Sequence, residues 1–548
     1  GCKNLPGRNA MKELPTGTQS FDMIRSADMV YVDKTAIIYR MIKSGRQNFI
    51  SRPRRFGKSL LVSTLESLFS RGTEMFKGLA IEKLWTDRTY RVLHFDFSGI
   101  PCDSLENFQK AAVRKFFRVA VKCGALDKTS SPDNFTDIAD LMNEITSNAD
   151  IDSTVLLIDE YDSPLNDNLN NPELFSKIHA AIRYFYAAVK EGSGVFHFIF
   201  VTGVSRFNKV SLFSVGSSIA DITLSPEYGT LLGYTEDEIK TYFGEHLRAA
   251  AASIFNVSYD GVTDVQLNQI MDELRRHYDG YCFDKKASTH VYQPWSVLQF
   301  LNPYRTYEFS DYWFKDSGVS TLVSNFIQLI GGVTADDRKM HSLDLDNLEI
   351  NIDLNSSANR LAVLTQCGYF TIKKSDGGFA YVGLPNLELL HAWAHLLTGE
   401  MRSRSAAPQS DIDHLNSIGK SLFAKDVSTE AICDLFNSIY KVINSSNSID
   451  TEYDACDIPV LYCLGIGYDV RTEVPEKGGR ADITFEFADR RIVIEMKCAR
   501  DGDVAEKKLD EAKAQIESRD CGKYAPLKKL RRFAMVFSVP EQKIVLAA

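Results

Sequence analysis

The chain has 548 residues, a length that excludes a single small module and, at roughly 100–200 residues per domain, suggests about three to five domains. A hydrophobic fraction of 44% and a charged fraction of 25% lie near globular averages and exclude a disordered chain. With 63 Lys and Arg against 72 Asp and Glu, the formal charge of −9 argues against a protein that coats nucleic acid by bulk charge, so any nucleic-acid site must be a local patch. In chain order, four short apolar runs organise the first half: Asn48–Ser51, Val92–Phe97, Thr154–Asp159 and Phe196–Thr202. Longer helix-compatible stretches separate them, the pattern of a parallel sheet with crossover helices, so an α/β core is expected over residues 11–235. From 236 to 344 the signals are mostly helical, as in Glu236–Phe243 and Val265–Tyr278, and read as a helical lid. Residues 345–430 form a middle region: a helix near Ala358–Cys367, a hairpin through Tyr369–Ile372, Asp376-Gly-Gly and Phe379–Val382, and a helix from Leu387. This order suits a winged-helix-like unit. The last segment, 431–548, reads helix (Asp457–Leu464), hairpin (Ala481–Phe487, Arg491–Lys497), helix (Val504–Ser518) and strand (Phe533–Ser538), a small α/β domain of its own.

No run approaches the roughly 18 apolar residues a membrane span needs, and the opening residues lack the charged-then-apolar order of a signal peptide, so a cytoplasmic protein without membrane contact is expected. The residues before Met11, a candidate natural start, are set aside from fold reasoning. Ten cysteines contain no CxxC pair, and neither a disulfide framework nor a zinc site is indicated.

The segment Arg52-Pro-Arg-Arg-Phe-Gly-Lys-Ser59 follows the first strand and precedes the helix Leu60–Phe69, where a P-loop must sit. A P-loop cradles phosphates with backbone amides at a helix N-terminus, sets Lys on the β- and γ-phosphates and offers a hydroxyl to Mg²⁺. Gly57, Lys58 and Ser59 meet those needs, although Arg52 stands where the usual pattern has its first Gly. The ordinary alternative is a basic turn that happens to contain Gly-Lys-Ser. The third strand argues against it, because Val155-Leu-Leu-Ile-Asp-Glu160 ends in two carboxylates: Asp159 to help hold hydrated Mg²⁺ and Glu160 to polarise the attacking water. The fourth strand ends in Thr202-Gly-Val-Ser-Arg206, so Thr202 or Ser205 could sense the γ-phosphate. Arg206 could stabilise charge there, or make an ordinary ion pair.

At the far end, strand alternation puts Glu495 and Lys497 of Ile492-Val-Ile-Glu-Met-Lys497 on one face, with Asp482 at the start of the neighbouring strand. Two carboxylates on a hard divalent cation with a lysine alongside are what phosphodiester hydrolysis needs. A solvated cross-strand ion pair is the ordinary alternative. Ala505, Leu509, Ala512 and Ile516 of the next helix make an apolar stripe with Gln515 beside it. Arg480 and the cluster Lys528, Lys529, Arg531 and Arg532 are candidates to meet phosphates. His391 and His395 share a helix face without a metalloprotease acid and read as structural.

The motifs Tyr31-Val-Asp-Lys-Thr35, Arg52–Ser59, Leu157-Ile-Asp-Glu-Tyr-Asp162, Thr202-Gly-Val-Ser-Arg-Phe207, Gly233-Tyr-Thr, Tyr278-Asp-Gly-Tyr281 and Pro385-Asn386 together resemble the AAA-ATPase-like proteins that carry a C-terminal PD-(D/E)XK nuclease-superfamily domain. The resemblance covers nearly the whole chain. It implies an α/β multidomain protein with a P-loop core of the additional-strand class, in which the sensor strand separates the Walker B strand from the P-loop strand. It also implies a C-terminal restriction-endonuclease-like domain. Arg54, Arg55 and Phe56 would join Gly57, Lys58, Ser59, Asp159, Thr202 and Arg206 around ATP. Gln515 would match the helix glutamine of many nuclease members, and the upstream helical acid would be Glu452 or Glu473. One departure is Ser217-Ser218, where paired Asn is expected. The resulting expectation is an ATP-regulated nuclease using Mg²⁺, or Mn²⁺ at the nuclease site, acting on DNA ahead of RNA, with oligomerisation left open. The rival is an ATP-dependent switch or scaffold whose nuclease-like domain binds nucleic acid without cutting.

Overall fold

The computed structural model describes residues 11–206, 219–316, 339–348, 357–403, 405–424, 427–443, 449–476, 479–487, 490–518 and 529–548. Ser217-Ser218 and Lys528 lie outside the described residues, as do the side chains of Glu473 and Arg480. The chain divides into two compact units, one running to Leu389 and the other comprising Leu390–Ala548.

The first unit is built on a five-stranded parallel sheet of β1 (Gln47–Ser51), β2 (Arg91–Asp96), β3 (Thr154–Asp159), β4 (Phe196–Gly203) and the short β5 (Ala220–Asp221), in the order β2-β3-β4-β1-β5. The four apolar runs of the sequence are therefore strands, and β4 lies between the strand ending in Asp159 and the strand entering the P-loop. All six residues of β3 are buried, as expected of a central parallel strand covered on both faces. Helix α1 (Thr35–Ser44) leads into β1, and the crossovers include α2 (Lys58–Arg71), α3 (Leu105–Lys122), α4 (Ile138–Ser147) and α5 (Pro172–Glu191). Helix α2 packs on β2 and β3 through a face that includes Leu61, Leu65 and Leu68.

The region from 236 is helical in α6 (Glu236–Ile254), α7 (Asp264–Tyr278) and α8 (Pro294–Leu301). Capping boxes start α6 and α7: Thr235 with Glu238, and Thr263 with Gln266. These helices share a core around Phe243, Leu247, Leu274 and Phe300. The end of the region differs from expectation, because β6 (His341–Asp344) is a strand. It pairs antiparallel with β8 (Phe379–Gly383), which pairs with β7 (Thr371–Asp376), and the helix α9 (Ser357–Gln366) precedes that hairpin.

The second unit contains α10 (from Leu390 of the helix Leu387–Ser403), α11 (Thr429–Ile443), α12 (Glu452–Gly465), α13 (Ala505–Ser518) and a second five-stranded sheet, β13-β12-β11-β10-β9. Its strands are β9 (Asp469–Glu476), β10 (Gly479–Glu486), β11 (Arg490–Ala499), β12 (Lys529–Ser538) and β13 (Lys543–Ala547). Only β11 and β12 run parallel, joined by the crossover helix α13, which buries Ala512 and Ile516 against Ala534. Helix α12 starts five residues earlier than the sequence pattern suggests. Thr451 caps it by accepting from the Asp454 amide, which places Glu452 in its first turn.

Candidate active sites

The loop from β1 to α2 turns through two left-handed residues, Arg55 at φ +69° and Gly57 at φ +95°. Gly57 is the N-cap of α2 and supplies no side-chain cap, so the first amides of the helix remain available to an anion. Arg52, at the position of the usual first glycine, does not face a phosphate site. It is 1% exposed, donates from Nη1 to the carbonyls of Ser51 (2.9 Å) and Thr223 (2.7 Å) and from Nη2 to that of Tyr228 (3.3 Å), and stacks 4.4 Å over the Phe283 ring. Burial drives its pKa down to about 9. It buttresses the loop from behind.

In front of the loop lies a cavity of about 760 Å³ lined by residues 15–20, Arg54, Lys58, Ser59, Glu160 and Trp295, among others. Lys58 is buried, and its Nζ donates to the carbonyls of Arg52 (2.9 Å) and Pro53 (3.0 Å). Burial lowers its pKa, against the pull of Glu160, Asp159 and Asp162. Asp159 is also buried: desolvation raises its pKa while the nearby Ser59 hydroxyl and the Lys58 charge lower it. Glu160 follows in a left-handed conformation, φ +47°, with its amide donating to Asp159 Oδ1 at 2.9 Å. Desolvation raises its pKa, Asp159 and Asp162 add to that, and Lys58 and Arg54 oppose it. A hydroxyl and a carboxylate close by, beside a lysine and a second carboxylate, fit hydrated Mg²⁺ and a triphosphate.

Thr202 stands one residue beyond the Ile158–Val201 pair, fully buried, with no hydrogen-bond partner for its Oγ1 among the described residues. Arg206 is not brought to this cavity. Its Nε pairs with Asp221 at 2.6 Å, its amide donates to Gln366, and it lines a separate small cavity with Arg52, so the ion-pair reading of Arg206 replaces the phosphate-binding one. Ser205 Oγ donates to Asn166 rather than facing the cavity. Phe56 is buried edge-on to Tyr281 and Phe283 and supports the loop from within. Sequence reasoning missed Trp295, whose ring carries the Arg55 guanidinium at 4.4 Å, and Tyr234, which lines both the main cavity and an adjoining apolar one with Val32, Leu61 and Leu232. Gly233-Tyr-Thr was the signal for Tyr234; Trp295 had none.

In the second unit, Asp482 precedes the Ile483–Ile494 pair and its Oδ2 accepts from the Met496 amide at 2.8 Å, which sets it beside Glu495 and Lys497 on β11. Glu495 is fully buried. Lys497 Nζ lies 2.9 Å from Glu452 Oε1 and 3.7 Å from Glu495 Oε1. Burial alone would lower the Lys497 pKa, but the carboxylates Glu452, Asp482 and Glu495 prevail and hold it above its ordinary value. Of the two candidate upstream acids, Glu452 lies at this cluster, and the side chain of Glu473 falls outside the described residues. Gln515 sits half-buried on α13 and hydrogen-bonds none of these residues. Among the described residues no three His, Cys, Asp or Glu side chains converge as a complete metal cage. Two carboxylates suit Mg²⁺, which takes one or two from protein and the rest from water and phosphate. Arg531 donates to the Val427 carbonyl, which commits part of the basic cluster to structure. His395 donates from Nδ1 to the Gly465 carbonyl at 3.1 Å, in keeping with a structural role.

The parallel sheet with its P-loop cavity and the mixed sheet with its carboxylate–lysine cluster define an ATPase-like module joined to a nuclease-like one. Residues 15–213 match the family model described as predicted AAA-ATPase, and residues 458–546 match that of the PD-(D/E)XK nuclease superfamily. The chain is also 28% identical over 503 residues, 89% of each chain, to an uncharacterized protein in vnfD 5'region of Azotobacter chroococcum mcd 1. The protein therefore carries an AAA-ATPase-like domain and a PD-(D/E)XK nuclease superfamily domain. Among the described residues no helix is long and apolar enough to cross a membrane.

Proposed function

We propose that the protein binds and hydrolyses ATP and that nucleotide state governs a metal-dependent phosphodiesterase acting on DNA in the cytoplasm. The observation that carries the reading is the grouping of Lys58, Ser59 and Glu160 at one cavity, with the buried Asp159 directly before Glu160 at the end of β3. The α2 amides and Lys58 bind phosphate, releasing Lys58 from the Arg52 and Pro53 carbonyls. Ser59 and Asp159 are the residues that would hold Mg²⁺, and Glu160 orients and polarises water. Tyr234 and the apolar groove beside it fit a nucleobase. In the second domain Asp482 and Glu495 would hold the cation, Glu452 orients Lys497, and Lys497 stabilises charge developing on the scissile phosphate. A bound Mg²⁺ or Mn²⁺ would supply Lewis-acid activation of phosphate and water at either site.

The test is cleavage of single- and double-stranded DNA and RNA, with and without ATP, in Mg²⁺ or Mn²⁺. Metal-dependent DNA cleavage that changes with ATP supports the reading. Absence of cleavage of every substrate, with ATPase activity intact, replaces it by an ATP-driven switch whose second domain only binds.

A further inference from the structure

Glu160 stands on a turn it cannot hold alone, since a non-glycine residue keeps a left-handed conformation only where its surroundings over-determine it. The next two residues supply those surroundings. The Tyr161 amide donates to the Thr202 carbonyl (3.2 Å) and its hydroxyl to the Ser205 carbonyl (3.0 Å). The Asp162 carboxylate, 1% exposed, accepts from the amides of Val204 (3.2 Å) and Ser205 (2.6 Å) and from Asn166 Nδ2 (2.8 Å). Asn166 Oδ1 in turn accepts from Ser205 Oγ at 3.0 Å. Gly203 sits inside this knot, where a Cβ would lie 2.4 Å from Asp162 Oδ1 and 2.7 Å from the Tyr161 ring.

We propose that Asp162 is a positioning residue of the ATPase centre: its buried carboxylate fastens the turn that carries Glu160 to the end of the strand that carries Thr202. The inference rests on the ATPase reading above. The two elements belong to adjacent strands, and the ladder between β3 and β4 ends at Ile158–Val201, just short of both residues. Beyond that point the sheet no longer sets their separation, and the Tyr161 and Asp162 bonds do. Asp162 makes no approach to the cavity itself, which is lined by Glu160 but not by Asp162. It therefore acts without touching substrate, chiefly by holding Glu160 and secondarily by its charge near Glu160 and Lys58.

The test is Asp162→Asn in the full chain. The amide keeps the volume but loses the charge, and with its oxygen at the Oδ2 position, which accepts from Val204, Ser205 and Asn166, its N–H₂ faces the Val204 N–H, so the charge-assisted ties weaken. ATP affinity, read with Mg²⁺ present by calorimetry, is expected within about threefold of the parent, while kcat falls about ten- to hundredfold, the cost of a small misplacement of a reacting group. In a Glu160→Gln background the same substitution should cost less than about threefold more, because both act on one step. An equal loss in both backgrounds, or a folded Asp162→Asn protein with the parent kcat, overturns the inference. If Asp162→Asn does not fold, Tyr161→Phe decides: about a threefold lower kcat at unchanged ATP affinity supports the inference, and an unchanged kcat overturns it. A Glu160→Gln protein with the parent kcat would instead remove the ATPase reading, which keeps the two failures distinct.

Discussion

Replacing Arg52 with Ala removes the guanidinium that stands where a P-loop ordinarily has its first glycine. Three buried carbonyls, those of Ser51, Thr223 and Tyr228, then lose a charged donor, and the Phe283 ring loses its stacked cation. An unsatisfied buried acceptor costs about 1–3 kcal/mol. Some of that is recovered when water enters the vacated space, and relief of the burial that holds the arginine pKa near 9 recovers more. A net loss of about 3–5 kcal/mol is expected, the range for breaking a buried charge network from one side. Urea unfolding followed by tryptophan fluorescence reads it, because Trp85, Trp295 and Trp313 all belong to the first unit. ATP affinity, measured where the variant is folded, should change by less than about fivefold, since Arg52 does not line the phosphate cavity. Arg52→Lys should recover only part of the stability, because an ammonium cannot reach three carbonyls in a planar fork. A variant with parental stability and ATP binding weakened more than about tenfold would refute the buttress argument and return Arg52 to the phosphates.

Lys58→Ala should weaken ATP binding about 10- to 100-fold by loss of a charge-assisted contact, measured by calorimetry, whereas Glu160→Gln should spare binding and lower kcat about 10²- to 10⁴-fold. Asp482→Ala and Glu495→Ala should each abolish metal affinity and cleavage. Lys497→Ala should keep the metal and slow cleavage about 10²- to 10³-fold, with ATPase activity as the folding control. Glu452→Gln, which takes the charge from the 2.9 Å partner of Lys497, should slow cleavage without removing the metal. The His94–Glu66 pair, 2.9 Å apart, predicts a pH dependence of stability. Burial alone would lower the His94 pKa, but Glu66 holds it above the ordinary value of 6.5; His94 in turn lowers the Glu66 pKa below 4.5, against desolvation. The histidine contribution is complete below its unfolded pKa and lost as pH rises through the raised value; the glutamate contribution is complete above its unfolded pKa and lost as pH falls. His94→Gln should therefore cost most, about 0.5–1 kcal/mol, between the two ordinary values, and the Tm difference from the parent should shrink at pH 9.

What the sequence determined alone is local. Val155-Leu-Leu-Ile-Asp-Glu160 reads as a buried strand ending at a polar site because four consecutive apolar residues need cover on both faces and two carboxylates need solvent or a cation, and β3 is that strand. The spacing of Glu495 and Lys497 on one strand, and the Gly57-Lys58-Ser59 entry to α2, are legible for the same reason: neighbours along the chain fix which face a side chain occupies. Strands without such a pattern were not legible. β5 has two residues, and β9, Asp-Val-Arg-Thr-Glu-Val-Pro-Glu, is polar and contains proline, so only pairing with β1 and β10 makes them strands. Tertiary structure alone brought Glu452 to Lys497, because the contact depends on where α12 falls against a residue 45 positions later. It also turned Arg206 toward Asp221 and Arg52 toward Thr223 and Tyr228, and brought Trp295 to Arg55. A long cation finds its partner by reach through space, and a single residue type carries no record of which carboxylate, carbonyl or ring the fold will set within that reach.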